Sequence, residues 1–292
     1  MCFDKNGASS VNIGVIVLSP TSESISRVKA VVSVAHVLPG LEDSQFGVIE
    51  NGVMPQLLNP VYAAVATPNA LSQLAEEATS LSKTYDKIIF IKGENEPAIV
   101  EHSVLHELGH VSYQSLFPEK VARRQRFYTD LKERTKRLSK LAYLMGKVYS
   151  VIGGNPKARV LLTLESDELY ANRFAYTHNT DRSAYSTLAR RELQIALKIW
   201  EKRSAGQQFE AAFHMVLVDL YMRILNESWY DFVPYSYKWL LPYTTSVVDA
   251  VDAENPEKLF ARVLLLFNAV HNWVELTEDE LLRSLGAEAV IS

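Results

Sequence analysis

Hydrophobic positions in the first third of the chain come partly in continuous runs. The runs at residues 11–18 and 87–91 are typical of buried strands, and residues 61–66 form a shorter strand candidate. Residues 69–83 repeat apolar positions at helical spacing, whereas residues 25–37 are ambiguous between helix and strand. This part of the chain is therefore predicted to combine a small mixed sheet with helices.

The rest of the chain has helical spacing almost throughout. The predicted helices span residues 96–116, 119–150, 158–177, 183–203, 207–226, 257–275 and 277–286. The last of them begins at a capping box formed by Thr277 and Glu280. We therefore expect an α+β fold, in which a part with a small mixed sheet (residues 1–118) precedes a mainly helical part (residues 119–292).

The composition narrows the class of protein. The 292 residues carry a formal net charge of −4, too small to indicate a nucleic-acid or membrane partner for the whole chain. Cys2 is the only cysteine, which excludes an internal disulfide and a cysteine-based zinc site. We see neither a convincing targeting segment nor about 20 uncharged apolar residues in a row. These features predict a soluble, cytoplasmic protein whose metal ligands can only be histidines and carboxylates.

Residues 106–110 read His-Glu-Leu-Gly-His, which is the H-E-x-x-H pattern of zinc peptidases. Residues four apart share one face of a helix, so His106 and His110 can both reach one metal ion. Glu107 lies beside them, where it can take a proton from an attacking water and pass it to a leaving amine. The motif therefore predicts a site for one Zn²⁺ ion, with Glu107 as the catalytic residue.

The helix around this motif is predicted to be held firmly. Its opposite face carries apolar residues at helical spacing, namely Val100, Val104, Leu108 and Val111. Gly109 lowers helix stability by about 1 kcal/mol relative to Ala, which suggests that another segment approaches closely there. The strand predicted at residues 87–91 could accept a substrate peptide as an added strand beside the site.

A third zinc ligand has to come from elsewhere in the chain. No third histidine follows closely, so we expect a carboxylate on a later helix. Glu168 is the best candidate, because Asn172 follows one turn later on the same face and could orient a ligand histidine. Glu165 lies on the same stripe one turn earlier and is the alternative ligand, whereas Asp167 points elsewhere.

With these two motifs the chain resembles the ImmA/IrrE-like zinc metallopeptidases, which belong to the gluzincin group of zincins. The resemblance rests on HELGH at residues 106–110 and on ELYANRFA at residues 168–175, about a tenth of the chain. It implies a zincin-like fold for the first part and hydrolysis of a protein or peptide substrate.

The same resemblance implies a role for each motif residue. The implied zinc ligands are His106, His110 and Glu168, and Glu107 is the implied base. The sequence departs from the family in the long segment between the motifs and in Tyr176-Thr177-His178-Asn179, which follows the second one. A helix-turn-helix is not evident beside the peptidase part, so repressor cleavage is not supported.

Other residues near the motifs leave alternatives open. A peptidase site needs a group that stabilises the oxyanion, and Tyr170, Tyr176 and His178 are candidates by their position close to Glu168. Tyr113 follows the motif and is another. His102 precedes His106 by one helical turn, and we expect it to be exposed or capped rather than functional.

Two further segments suggest partners other than a peptide. Residues 120–140 carry nine basic residues against three acidic ones counted from Glu119, and a solvated basic face is favoured over nucleic-acid contact. Residues 229–243 hold seven aromatic side chains, which could pack between helices or line a groove or interface. The alternative function is therefore a catalytically inactive zincin-fold protein that binds a partner through one of these segments.

Overall fold

The computed structural model describes residues 11–50, 63–66, 84–135, 139–152, 167–201 and 205–285. It has a mixed α+β fold. Its backbone contacts divide it into two compact units, which are described separately. The first comprises Met1–Pro118 and Tyr170–Ala184, and the second comprises Glu119–Leu169 and Tyr185–Ser292.

The described residues form four strands and ten α-helices. The strands are β1 (Asn12–Leu18), β2 (Gln45–Glu50), β3 (Ala63–Ala66) and β4 (Lys87–Lys92). The helices are α1 (Ser22–Val34), α2 (Pro97–Leu116), α3 (Pro118–Thr135), α4 (Ser139–Ile152), α5 (Glu168–His178), α6 (Ser183–Trp200), α7 (Ala205–Leu225), α8 (Leu241–Asp252), α9 (Pro256–His271) and α10 (Glu278–Leu285).

The sheet of the first unit has the order β2-β1-β4-β3. Strand β1 pairs in parallel with β2 and with β4, and β3 pairs antiparallel with β4. The continuous apolar runs predicted as strands are confirmed as the two inner strands, whose side chains are buried on both faces. The expectation that a peptide could add to residues 87–91 is wrong, because β1 and β3 occupy both edges of that strand.

Helices α1 and α2 of the first unit directly follow strands β1 and β4 in the chain. Helix α1 begins at a capping box in which Thr21 and Ser24 exchange backbone-to-side-chain hydrogen bonds of 2.9 and 3.0 Å. Helix α2 has Pro97 in its first turn, where a missing N–H does no harm. Fourteen of its twenty residues are buried, so α2 is covered on nearly all sides, by α1 and the sheet among others.

The regular elements among the described residues of the second unit are all helices. Aromatic side chains join its helices: Phe127 of α3 lies 5.9 Å from Phe260 of α9, and Phe209 of α7 lies 4.2 Å from Phe267, measured between ring centroids. Helix α10 has the predicted capping box, since Glu280 accepts from the Thr277 N–H at 2.9 Å and returns its own N–H to Oγ1. None of the helices in the described ranges is both long and apolar enough to cross a membrane.

Several element predictions need correction. The segment predicted as one helix over residues 119–150 contains two, α3 and α4, and residues 136–138 between them are outside the described residues. Asp167 lies in a turn, so the helix predicted over residues 158–177 begins at Glu168 in its described part. Strand β2 and helix α8 were not predicted. The helix predicted over residues 69–83 is outside the described residues.

Four of the nine basic residues over residues 120–140 form ion pairs with described residues of the second unit. The pairs are Lys120 with Glu254, Arg123 with Glu257, Arg124 with Asp167, and Lys140 with Glu280. Three of these pairs are solvent-exposed and contribute little to stability. Arg124 and Asp167 are buried, and removal of either would leave the other charge uncompensated.

Candidate metal site

The H-E-x-x-H motif lies in the middle of α2. Glu107 and His110 are each 8% exposed, and His106 is half-buried. The apolar residues of the opposite face are buried as predicted: Val100, Val104 and Leu108 at 0% and Val111 at 1% exposure. The motif side chains are therefore presented from a helix whose position is fixed by the core, as a metal site requires.

The two motif histidines face each other across one helical turn. Their Nε2 atoms are 3.1 Å apart, and the rings meet edge to face with 4.7 Å between centroids. Two imidazoles bound to one tetrahedral zinc ion at about 2.0–2.1 Å would have their nitrogens about 3.3 Å apart. The observed separation fits such a pair of ligands.

Glu168 completes a set of three donors. Within the described ranges one group of three His, Cys, Asp or Glu side chains is arranged to hold a metal ion, and it consists of His106, His110 and Glu168. One donor atom from each lies within 4.8 Å of the other two. Two imidazoles and a carboxylate are a donor set that suits zinc and leaves a position open.

Gly109 explains how α5 approaches the motif helix. A Cβ atom on Gly109 would lie 2.8 Å from the Ala171 Cα, 3.0 Å from its carbonyl oxygen and 3.2 Å from the Phe174 Cβ. These are backbone atoms and the stem of a side chain, which cannot move aside without shifting the helix. The predicted close approach is confirmed, and the approaching segment is the one that begins with Glu168.

Residues on either side of α5 are also held by polar contacts. Asp167, directly before Glu168, is fully buried and forms an ion pair with Arg124. Beyond the other end, Thr180 donates to Glu101 of α2 from its backbone N–H at 2.7 Å and from its hydroxyl at 2.9 Å. Arg27 donates to the same carboxylate at 3.1 Å. As predicted, Asp167 points away from the motif histidines, and its partner is Arg124.

The role predicted for Asn172 remains a prediction. Asn172 is fully buried one turn after Glu168, and burial is what an amide that orients a ligand requires. Glu165, the alternative third ligand, is outside the described residues.

His102 differs from its prediction. It is 4% exposed, and its ring centroid lies 5.8 Å from that of His106. Burial, together with the neighbouring His106, holds the pKa of His102 well below its usual value. His102 is therefore a neutral, buried side chain in the first half of α2, and the expectation that it is exposed is wrong.

The three candidates for an oxyanion stabiliser lie in different surroundings. The Tyr170 hydroxyl is 3.0 Å from the Ser112 Oγ, and its ring packs against Tyr113, so packing already accounts for both residues. Tyr176 is half-buried, with the Arg182 guanidinium 5.0 Å from its ring centre. His178 is also half-buried, and burial lowers its pKa, so it is neutral near pH 7.

Glu101 is a structural member of this region that the sequence did not reveal. It is 3% exposed and holds the segment beyond α5 through the hydrogen bonds described above. The available signal was a carboxylate within an apolar stretch of the motif helix, five residues before His106.

The described site is thus a His₂-carboxylate donor set carried by two packed helices, and the neighbouring carboxylate of Glu107 is buried. Comparison of the chain with protein-family models, with curated proteins and with solved structures finds no match.

Proposed function

We propose that this protein is a zinc-dependent metallopeptidase of the gluzincin type. The observation that carries the proposal is the convergence of His106, His110 and Glu168 beside a buried Glu107. Three protein ligands with one open position are characteristic of catalytic rather than structural zinc sites. A purely structural site would have no use for Glu107, which is not needed to bind the ion.

Each residue has one role in the proposed reaction. His106, His110 and Glu168 would hold the ion, which when bound supplies Lewis-acid polarisation of the peptide carbonyl and of the attacking water. The Glu107 carboxylate takes a proton as the water oxygen bonds to the carbonyl carbon. It then delivers that proton to the amide nitrogen as the C–N bond breaks, which gives a carboxylic acid and an amine.

Metal analysis tests the ligand set. Protein purified without chelator should contain close to one equivalent of zinc, and less than about one tenth of an equivalent would reject the site. The variants His106→Ala and Glu168→Ala should each lose zinc, whereas His36→Ala, at an exposed histidine, should keep it. Zinc loss in Glu165→Ala with zinc retained in Glu168→Ala would show that the third ligand is assigned to the wrong residue.

Catalysis is tested separately by Glu107→Gln. This variant should retain zinc and fold, and it should cleave any substrate of the parent about 100- to 10,000-fold more slowly, which is the usual contribution of a general base. Glu119→Gln, on an exposed side chain of α3, is the matched control. A cleavage screen over a whole proteome, run with parent and Glu107→Gln, would identify substrates. Equal cleavage by both would remove Glu107 from the mechanism.

One observation supports the alternative of an inactive zincin-fold binding protein. Within the aromatic segment over residues 229–243, Tyr235 is 91% and Trp239 is 43% exposed. Exposed aromatic side chains of this kind are enriched where proteins contact partners. This alternative predicts that the parent cleaves nothing in the screen above even though it contains a full equivalent of zinc.

A further inference from the structure

A cavity lies in the helical unit and shares no residue with the His₂-carboxylate group. Its volume is about 480 Å³, within the range of small-molecule pockets. It is formed by the end of α7, the loop that follows and the start of α8. The lining residues are Asp219, Arg223, Asn226, Glu227, Ser228, Trp229, Tyr230, Leu241 and Thr245.

Asp219 is the most unusual member of this lining. It is 8% exposed, and its Oδ1 accepts a hydrogen bond of 2.9 Å from the Trp229 indole. Its Oδ2 is buried and accepts no hydrogen bond of normal geometry from the described residues, although the Thr245 hydroxyl is near enough to lower its pKa. A buried carboxylate with one oxygen left over is costly unless a donor reaches it.

The guanidinium of Arg223 is not the donor to Asp219 Oδ2. Arg223 lies one turn after Asp219 on α7, but it donates to Asp249 at 2.6 Å and is 3.9 Å from Asp252. The positive charge is therefore directed to carboxylates of α8. The lining itself then holds two carboxylates, those of Asp219 and Glu227, and one guanidinium, which donates to Asp249 although its charge still acts on Asp219.

The aromatic part of the lining consists of Trp229 and Tyr230. The Tyr230 ring already has a cation of the chain near it, because the Lys238 ammonium lies 3.9 Å from its centre. Trp229 and Leu241 supply apolar surface beside the carboxylate. A carboxylate acceptor, aromatic rings and an apolar wall are the features with which proteins recognise amines.

We propose that this cavity binds an organic cation, with an ammonium or guanidinium group on Asp219 and a short apolar stem against Trp229 and Leu241. The cation has two chemical sources: a free small amine, or the side chain of a lysine or arginine in a peptide. Both would place an N–H donor on the Asp219 carboxylate.

Calorimetric titration tests this with n-butylammonium and n-butylguanidinium chloride as probes and 1-butanol as the neutral control. All titrations contain a chelator, so that metal at the motif histidines plays no part. We expect one equivalent of either cation to bind and 1-butanol to bind at least about tenfold more weakly. N-acetyl-lysine methylamide, compared with its norleucine analogue, distinguishes a peptide side chain from a free amine as the source.

Variants locate the binding. Asp219→Asn keeps the shape and can still accept from Trp229, and it should weaken binding of n-butylammonium at least about tenfold. Glu227→Gln should weaken binding less, and Asp231→Asn, at an exposed carboxylate outside the lining, should leave it unchanged. If Asp219→Asn does not fold, the preference for the cation over 1-butanol and the effect of Glu227→Gln decide. Equal binding of cation and alcohol, no binding of either cation, or an unchanged affinity in Asp219→Asn would each overturn the proposal.

Discussion

The contact between Gly109 and α5 leads to a quantitative prediction about Gly109→Ala. A glycine in the middle of a helix is normally improved by alanine, which gains about 1 kcal/mol of helix stability. Here the new Cβ would lie 2.8 Å from the Ala171 Cα. Carbon atoms prefer separations of about 3.5–4.0 Å, so α5 would have to move by about 1 Å.

The expected cost follows from this displacement. Overpacking a close-packed contact costs about 1–3 kcal/mol, which offsets or exceeds the gain in helix propensity. We therefore expect Gly109→Ala to change the free energy of unfolding by between about 0 and −2 kcal/mol. Glu168 begins the helix that must move, and metal sites tolerate only about 0.2 Å, so zinc affinity should fall about 10- to 100-fold.

Gly146→Ala is the matched control for this experiment. Gly146 is also inside a helix, α4, but a Cβ there would meet no atom within 4 Å. It should raise the free energy of unfolding by about 1 kcal/mol. Because both substitutions gain the same helix propensity, the difference between the variants measures the packing cost alone.

Urea unfolding of the chelated protein and competition with a chromogenic zinc chelator provide the two measurements. If Gly109→Ala is stabilised as much as Gly146→Ala, α5 does not pack on the motif helix as described. If stability falls while zinc affinity is unchanged, the packing of α5 does not control the position of Glu168.

Three further predictions concern buried polar groups. Arg124→Met should lower the free energy of unfolding by about 3–5 kcal/mol, measured in urea, because it leaves the buried Asp167 uncompensated. Glu101→Ala should lower it by about 1–3 kcal/mol and should raise amide exchange at Thr180, which loses its acceptor. Burial raises the pKa of Asp219 above 3.8, so its ionisation destabilises the fold as pH rises through the raised pKa. Urea unfolding at several pH values should therefore show Asp219→Asn gaining stability over the parent as pH rises through that window.

Local patterns were sufficient for the inner strands and for most helices. Residues 11–18 and 87–91 are apolar without interruption, because both faces of an inner parallel strand are covered. Strand β2 (Gln45–Glu50) is mostly half-buried and includes a glycine, so it has neither a continuous run nor a clean alternation. Helix α8 begins at Leu241, and its next residues are Pro242, Tyr243 and two threonines, which are weak helix formers. Its formation therefore depends on packing against α9.

Helix α2 shows which features of the site the spacing of residues in the sequence can predict and which it cannot. The i, i+4 spacing of His106 and His110 is a property of any helix, so their pairing could be predicted from the sequence. The burial of His102 could not, because it depends on elements that cover that side of α2. The choice among Tyr170, Tyr176 and His178 depends on a bound substrate as well, and no spacing in the sequence contains that information.

The two sequence motifs are related through packing as much as through metal chemistry. Helices α2 and α5 touch at Gly109 of HELGH and Ala171 of ELYAN. A Cβ atom on Gly109 would lie only 2.8 Å from the Ala171 Cα. Small residues at a helix crossing fix the distance between the helix axes, and that distance fixes how far the Glu168 carboxylate can reach. Two short motifs separated by 57 residues can therefore specify three converging donors. The first motif supplies two ligands and the second supplies one, and each also supplies a small residue at the contact between the helices. On this reasoning larger residues at Gly109 or Ala171 should weaken zinc binding, although less than loss of a ligand does, by the factor of about 10 to 100 expected for Gly109→Ala.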